Sequence, residues 1–479
     1  MSNTMNSLAK NSLYNVLYRL LNIIFPFITS IYVARVLGAD GIGKVAAAQN
    51  IVSYFTIFAS MGIPTYGIKL IAQFKVKSKE SSKAFSELFV INFILSVVCS
   101  IAYYILIFMV PYFEGKHLLY SVTGFSLILN IINVDWFYQG IQEYRYIAIR
   151  SLIIKIVALG ALIFLVKGTQ DYVVYAFITS AALVGNYLFN ILKLPQYIKF
   201  ELKNIRLAEH LKPIFSLFIA CLAAEIYVLA DTTMLDIMSN STIVGYYSMS
   251  MKIVKIIRGL VVAVSAVFLP QLSYYYYNGE HDKFKNLTNR GLHILLALSL
   301  PVAMGIFLVS DDAIISFFGN SYIGSVLTTR ILSISVISVA ISNYIGLQIL
   351  VTLGKEKITT ISTICGALLN IALNYMLIPI WLHEGAAIAS TITEIAVMVI
   401  QIVLARKYIR FSPNLKTVLI PTIIMCVGVN IIHQMGMAVQ IRLILECLVG
   451  VGLYYVVALK MKDEFIFDIN NVIIEKIRR

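Results

Sequence analysis

Between Ser12 and Lys462 the chain offers about fourteen apolar segments, each long enough to cross a bilayer, and almost no loop long enough to fold separately. In hydrocarbon the backbone must satisfy its own polar groups, which leaves helices and closed barrels. Barrel strands need runs of roughly ten residues with alternating polarity. Phe85 to Val110 and Thr359 to Trp381 are instead continuously apolar. With 59% hydrophobic residues, 13% charged residues and a mean hydropathy of +0.85, the expected fold is an all-α integral membrane protein of about 14 transmembrane helices. The expected helices run at about 12–36, 43–73, 85–110, 118–139, 147–167, 172–195, 212–238, 243–276, 286–309, 326–350, 359–381, 386–407, 415–435 and 440–460.

The net charge of +14 has a topological explanation. If the first residues are cytoplasmic, the inner segments collect Lys75, Lys77, Lys79 and Lys83, then Arg145, Arg150 and Lys155, then Lys193, Lys199, Lys203, Arg206 and Lys212, with further cations in each later inner loop. Outer segments hold few. The positive-inside bias then puts both termini in the cytoplasm, and cations spread over loops leave no nucleic-acid surface. No cleavable signal is expected, because the first apolar run is too long and lacks a small-residue cleavage site. The tail from Asp463 to Arg479 carries apolar residues at helical spacing and is expected to lie along the inner membrane surface.

A weak internal repeat is visible. Gly43–Val52, GKVAAAQNIV, aligns with Gly245–Val254, GYYSMSMKIV, each opening the second helix of a hairpin. Six helices separate them, so the two halves share one orientation, an arrangement found in transporters that bind between halves. The expected divisions are an N-terminal six-helix half at 1–200, a C-terminal half at 201–410, and helices thirteen and fourteen with the tail at 411–479.

Charges inside apolar runs mark the candidate site. Helix one carries Ser12, Asn15, Arg19, Asn22, Pro26 and Thr29 at steps of three and four, one polar face along the helix. Such a stripe belongs against protein or a water-filled cavity, although Arg19 alone could snorkel to the inner surface. Helix eight carries Lys252, Lys255 and Arg258 at three-residue steps, and its hairpin partner carries Glu225, Asp231 and Asp236. Pairs between Asp231 and Lys252, and between Glu225 and Lys255 or Arg258, are at compatible depths. The three carboxylates point to different sides of their helix, however, so positive charge is left over. Surplus cations suit an anion such as phosphate. The carboxylates Glu225 and Asp231, with Glu394 in helix twelve, are candidates for ion pairs or for coupling to a proton or sodium gradient. Glu446 in helix fourteen is a further candidate, and Asn130, Asn133, Asn370 and Asn374 read as interhelical hydrogen-bonding groups.

No catalytic constellation is visible, and an enzyme is not expected. Gly38–Lys44, GADGIGK, has Val45 where a phosphate loop needs Ser or Thr, and His383-Glu384 lacks a second histidine. The five cysteines sit singly in apolar runs and suggest neither disulfide nor metal. No cofactor is expected.

Tyr32-Val-Ala-Arg-Val-Leu-Gly-Ala-Asp-Gly-Ile-Gly, Asp135-Trp-Phe-Tyr-Gln-Gly-Ile-Gln-Glu-Tyr-Arg-Tyr, and Asp231 followed by Val244-Gly-Tyr-Tyr resemble the bacterial polysaccharide transporters, the Wzx-type lipid-linked oligosaccharide flippases. Asn370-Ile-Ala-Leu-Asn-Tyr-Met-Leu-Ile-Pro with Gly385-Ala-Ala-Ile-Ala-Ser-Thr-Ile-Thr-Glu394 looks like a signature of the wider multidrug/oligosaccharidyl-lipid/polysaccharide exporter superfamily. The resemblance implies a V-shaped, alternating-access bundle of two six-helix halves plus two helices around a cationic cavity. It implies an undecaprenyl-diphosphate-linked O-antigen or capsule repeat unit as cargo, turned from the inner to the outer leaflet of the bacterial cytoplasmic membrane, with polysaccharide polymerase machinery as a partner. The family's transmembrane cations correspond by helix position to Arg19, Lys252, Lys255 and Arg258, with Asn15 and Asn22 beside Arg19. The alternative is a cation-coupled multidrug antiporter of the same fold, which a surplus of cations disfavours. A polyprenyl-linked glycosyltransferase or polymerase would be expected to show a large outer catalytic loop, whereas the longest outer loop here, near Ser310 to Ser325 with Asp311-Asp312, is a turn or two.

Overall fold

The computed structural model describes residues 2–203, 205–409, 411–468 and 470–471, with the side chains at 2–13, 15–17, 19–21, 23, 220–221, 223–224 and 226–227 outside that description. Two long helical runs are each broken once. Ser2–Ser60 breaks at Gly38 (φ 68°, ψ 180°) into α1 (2–37) and α2 (39–60), at a positive φ that glycine adopts without steric cost. Glu356–Ala405 breaks at Leu382 (φ 51°, ψ −128°) into α11 (356–381) and α12 (383–405).

The other α-helices of twelve residues or more are α3 (Lys79–Met109), α4 (His117–Ile128), α5 (Tyr144–Leu165), α6 (Tyr172–Lys193), α7 (Leu207–Met238), α8 (Ser241–Ser265), α9 (His281–Phe318), α10 (Val326–Asn343), α13 (Lys416–His433) and α14 (Val439–Lys460). Among the described residues ten helical runs are long and apolar enough to cross a membrane, and two of these span the breaks at Gly38 and Leu382. The chain is an all-α, multi-pass membrane protein. Its surface agrees: Phe164 and Leu192 are each 75% exposed, as apolar side chains facing lipid should be, while Asn190 and Asn374 are fully buried.

By their internal contacts the residues form two units, Met1–Asp236 with Asn240–Gly245, and Ile237–Ser239 with Tyr246–Arg479. The sequence expectation begins the second half at 201, ahead of α7. Residues 207–236 of α7 belong instead to the first unit. Tyr66 Oη and His210 Nδ1 are 3.0 Å apart, His210 Nε2 and Glu87 Oε2 are 2.9 Å apart, and the Arg206 N–H donates to Glu87 Oε1 at 2.8 Å. Farther along α7, Asn50 Nδ2 donates to the Leu229 carbonyl at 3.1 Å.

The core of the first unit gathers Ile63, Ile71, Phe85, Leu88, Trp136, Phe137 and Tyr138. Phe85 stacks on Trp136 at 5.4 Å between centroids and meets Phe137 edge-on at 5.2 Å. Elsewhere in this unit the start of α2 crosses the start of α8 at two glycines. A Cβ on Gly43 would lie 1.7 Å from the Ser241 carbonyl oxygen, and one on Gly245 would lie 2.0 Å from that of Ala39. The contact is reciprocal, since each glycine of the aligned repeat faces the residue four before the other.

In the second unit α10 continues as the π-helix Tyr344–Leu350. Tyr344 Oη donates to the Thr288 carbonyl on α9 at 3.2 Å. Beyond α14 the chain turns at buried Asp463, whose Oδ2 lies 2.7 Å from His293 Nε2 on α9 and whose Oδ1 accepts from the Ile466 N–H at 3.3 Å. Burial pushes this carboxyl up, but its bonds to His293, Thr417 and the Ile466 N–H outweigh burial and hold it below the usual carboxylate range.

Gly245→Val should cost about 1–3 kcal/mol through backbone collision at the α2–α8 crossing, read as a lowered unfolding temperature of the detergent-solubilised protein. Gly452→Ala, where a Cβ meets nothing within 4 Å, should leave that temperature unchanged or raised. Asp463 has a depressed folded pKa, so its contribution is present above the unfolded value of about 3.9 and is lost as pH falls through the folded one. Asp463→Asn should therefore lower the unfolding temperature at pH 7, with the difference from wild type shrinking only below about pH 4.

Candidate functional site

A charge at the centre of a bilayer costs about 2.5–3.5 kcal/mol even on the mildest insertion scale, so the partner of each intramembrane ion is the first question.

In the first unit, Asn15 and Arg19 fall on side chains outside the described residues. Asn22, on the same α1 stripe, is exposed and accepts from Lys155 Nζ at 2.6 Å. Lys155 belongs to the middle of α5, not to the inner loop with which the sequence reading grouped it. The expected helix at 147–167 already contained it, and that was the missed signal. Its neighbour Arg150 is buried, with Nη2 on Asp135 Oδ1 at 3.1 Å and Nη1 on Asn190 Oδ1, while its Nε has no hydrogen-bond partner among the described residues. On α7 Glu225 is exposed, Asp231 is 2% exposed, and Asp236 accepts a hydrogen bond from Tyr112 Oη at 2.5 Å.

In the second unit, the three α8 cations have different surroundings. Arg258 Nη1 lies 3.7 Å from Glu394 Oε1 on α12, the two side chains being 15% and 13% exposed. Its Nη2 donates to Ser335 Oγ on α10, and its buried Nε has no hydrogen-bond partner. Lys252 is half-buried and Lys255 exposed. Within their unit no described carboxylate lies within 4.0 Å of either. The sequence reading offered Arg258 a carboxylate from the neighbouring helix, and the structure supplies one from α12, far along the chain. Helical spacing gives the face a residue occupies, not which distant helix will be packed there.

The buried asparagines bridge or brace helices. Asn130 Nδ2 donates to Ser96 Oγ on α3 at 3.0 Å and Asn133 Nδ2 to Asn130 Oδ1 at 3.0 Å, while Asn374 Nδ2 donates to Asn370 Oδ1 at 3.1 Å.

A second ion cluster was legible only in fragments. Asp311 and Asp312 lie within α9, which runs on to Phe318, rather than in the loop expected from the sequence. Arg330 Nη2 meets Asp311 at 2.8 Å, and Arg442 grips both oxygens of Asp312. His433 sits between Glu446 (Nδ1 to Oε1, 2.8 Å) and Asp311 (Nε2 to Oδ2, 3.3 Å). Ligand atoms of Asp312, His433 and Glu446 lie within 4.8 Å of one another. The Arg442 guanidinium already holds both Asp312 oxygens, so the group is an ion network joining α9, α10, α13 and α14.

Comparison with known proteins follows the same lines. A family described as polysaccharide biosynthesis protein matches residues 8–275, and the MatE family matches residues 214–376. A Shigella dysenteriae protein named "Putative O-antigen transporter" is 22% identical over 396 residues, covering 81% of this chain and 98% of its own. The lipid II flippase MurJ of Bacillus subtilis is 23% identical over 463 residues, covering 84% of this chain and 82% of its own. The solved structure of lipid II flippase MurJ in an inward closed conformation has a TM-score of 0.79 at 14% identity, covering 95% of this chain and 99% of that one. That likeness shows a common fold.

Removing one member of a largely buried ion pair strands the other, typically at about 3 kcal/mol. Arg258→Leu should therefore lower the unfolding temperature in detergent more than the double replacement Arg258→Leu with Glu394→Leu. Additive losses would mean that the two side chains do not interact.

Proposed function

As the chain belongs to the polysaccharide biosynthesis protein family, we propose that it is a flippase that moves an undecaprenyl-diphosphate-linked oligosaccharide, an O-antigen or capsule repeat unit, from the inner to the outer leaflet of the bacterial cytoplasmic membrane. The observation that carries this reading is the surplus of intramembrane cations on α8, where one of three has a carboxylate partner in its own unit. Lys252 and Lys255 meet the diphosphate, and Arg258, tethered at 3.7 Å with an unpartnered Nε, turns toward it. Within the first unit, Arg19 on α1 is a further candidate ligand for a diphosphate, with Asn15 and Asn22 as neutral hydrogen-bonding groups. The glycan crosses in a wet cavity by alternating access while the polyprenyl tail stays in lipid.

Relatives named as an O-antigen transporter and a lipid II flippase support a lipid-linked cargo and a transporter rather than an enzyme. In this reading both termini are cytoplasmic, Glu225, Asp231 and Glu394 are the candidates for coupling turnover to a proton or sodium gradient, and polymerase machinery takes up the delivered unit. The MatE match at residues 214–376 favours a second reading, a cation-coupled multidrug antiporter. Cations without carboxylates suit a cationic drug poorly.

Deletion of the gene in its own host should abolish polymerised surface polysaccharide and strand intact undecaprenyl-linked repeat units on the inner leaflet. Replacement of Lys252, Lys255 and Arg258 together by neutral residues should fail to restore either. Normal surface glycan in the deletion strain, together with new sensitivity to cationic dyes, would turn the assignment to the antiporter.

A further inference from the structure

The polar stripe of α1 has a partner that sequence reading passed over. Helix α5 spans Tyr144–Leu165, 22 residues, about 33 Å at 1.5 Å per residue. Lys155 is its twelfth residue, about 16 Å from either end, and a lysine side chain does not reach the interface from that depth.

The environment of its ammonium is unusual for a charge so placed. The described partner is a neutral amide oxygen, Asn22 Oδ1 at 2.6 Å, with the Phe25 ring centroid 5.8 Å away. No described carboxylate lies within 4.0 Å of Lys155, and Asp135, the partner of Arg150 on the same helix, is held by Arg150 and Asn190. An ammonium has three donors, and Asn22 uses one. Asn22 is itself exposed and Lys155 half-buried, so the pair is not sealed inside the first unit.

We propose that Lys155 is a ligand of the cargo's diphosphate in the first unit, with Asn22 holding its ammonium in place on the α1 stripe. The proposal rests on the flippase reading above and names a cationic contact on α5, within the first unit. A lysine that merely cross-linked α1 and α5 would need a hydrogen-bond donor, not a charge. A diphosphate ligand needs the charge.

That difference sets the experiment. The purified full chain in detergent is titrated with undecaprenyl diphosphate, and with undecaprenol as the neutral control, following ligand-dependent thermal stabilisation. Wild type should bind the diphosphate and not the alcohol. Lys155→Arg should stay within about threefold of wild type, whereas Lys155→Gln, which keeps a donor for Asn22, should lose about tenfold or more. Asn22→Asp provides a second route that leaves the lysine in place. Its new carboxylate neutralises the ammonium, so the ligand-free protein should remain folded while diphosphate affinity falls about tenfold. Wild-type affinity in both Lys155→Gln and Asn22→Asp would overturn the role of Lys155 and leave the flippase reading intact. Failure of wild type to distinguish the diphosphate from the alcohol would overturn both.

Discussion

A charge inside hydrocarbon has to find a partner, and within each unit that requirement fixes which helices stand side by side. Arg150 joins α5 to Asp135 and to Asn190 on α6. Arg330 and Arg442 bring α10 and α14 onto the two aspartates of α9, and His433 adds α13 to the same knot. Arg258 spans from α8 to α12 and α10. Apolar contact between helices is weakly selective in lipid, because the tails are as apolar as leucine. Ion pairs and buried asparagines therefore carry much of the specificity, and Asn130 is an example in the first unit, reaching Ser96 from the short 3-10 turn that follows α4 while its carbonyl receives Asn92.

The glycine crossing imposes a complementary constraint of shape. Gly43 and Gly245 let the starts of α2 and α8 approach to backbone contact, each against the residue that the internal repeat pairs with the other's neighbour. The sequence match was short enough to arise by chance between apolar helices. The geometry gives it a physical reason, since any side chain at either position collides with a carbonyl oxygen.

Much of the fold was readable because length and hydropathy alone decide whether a segment can cross a bilayer. The breaks after Leu37 and Trp381 were readable as well, the first from glycine. What could not be read was lateral: which helix faces which. Glu394 lies in α12, and nothing in its own neighbourhood says that Arg258 will lie beside it. Asp311-Asp312 looked like loop residues because charge is scarce inside spans, and only Arg330, Arg442 and His433, arriving from three other helices, make a helical position tolerable. Lys155 was lost to bookkeeping of a different sort, counted with inner-loop cations because a single lysine in an apolar run resembles a boundary. Its depth in α5 is what reclassifies it.

Geometry also separates the ion pairs that hold the fold from those with capacity left over. Arg442 engages both oxygens of Asp312, the fork-to-carboxylate arrangement that commits a guanidinium fully. Arg258 approaches Glu394 at 3.7 Å, beyond hydrogen-bond length, and its Nε is buried without an acceptor. A buried donor without an acceptor carries a desolvation penalty of about 1–3 kcal/mol that an incoming phosphate oxygen would relieve. Exchange of a long carboxylate contact for a short phosphate contact therefore favours anion binding at Arg258, whereas the same exchange at Arg442 would have to break two good hydrogen bonds first. Between these two arginines of the second unit, it is the α8 position that keeps an unused donor.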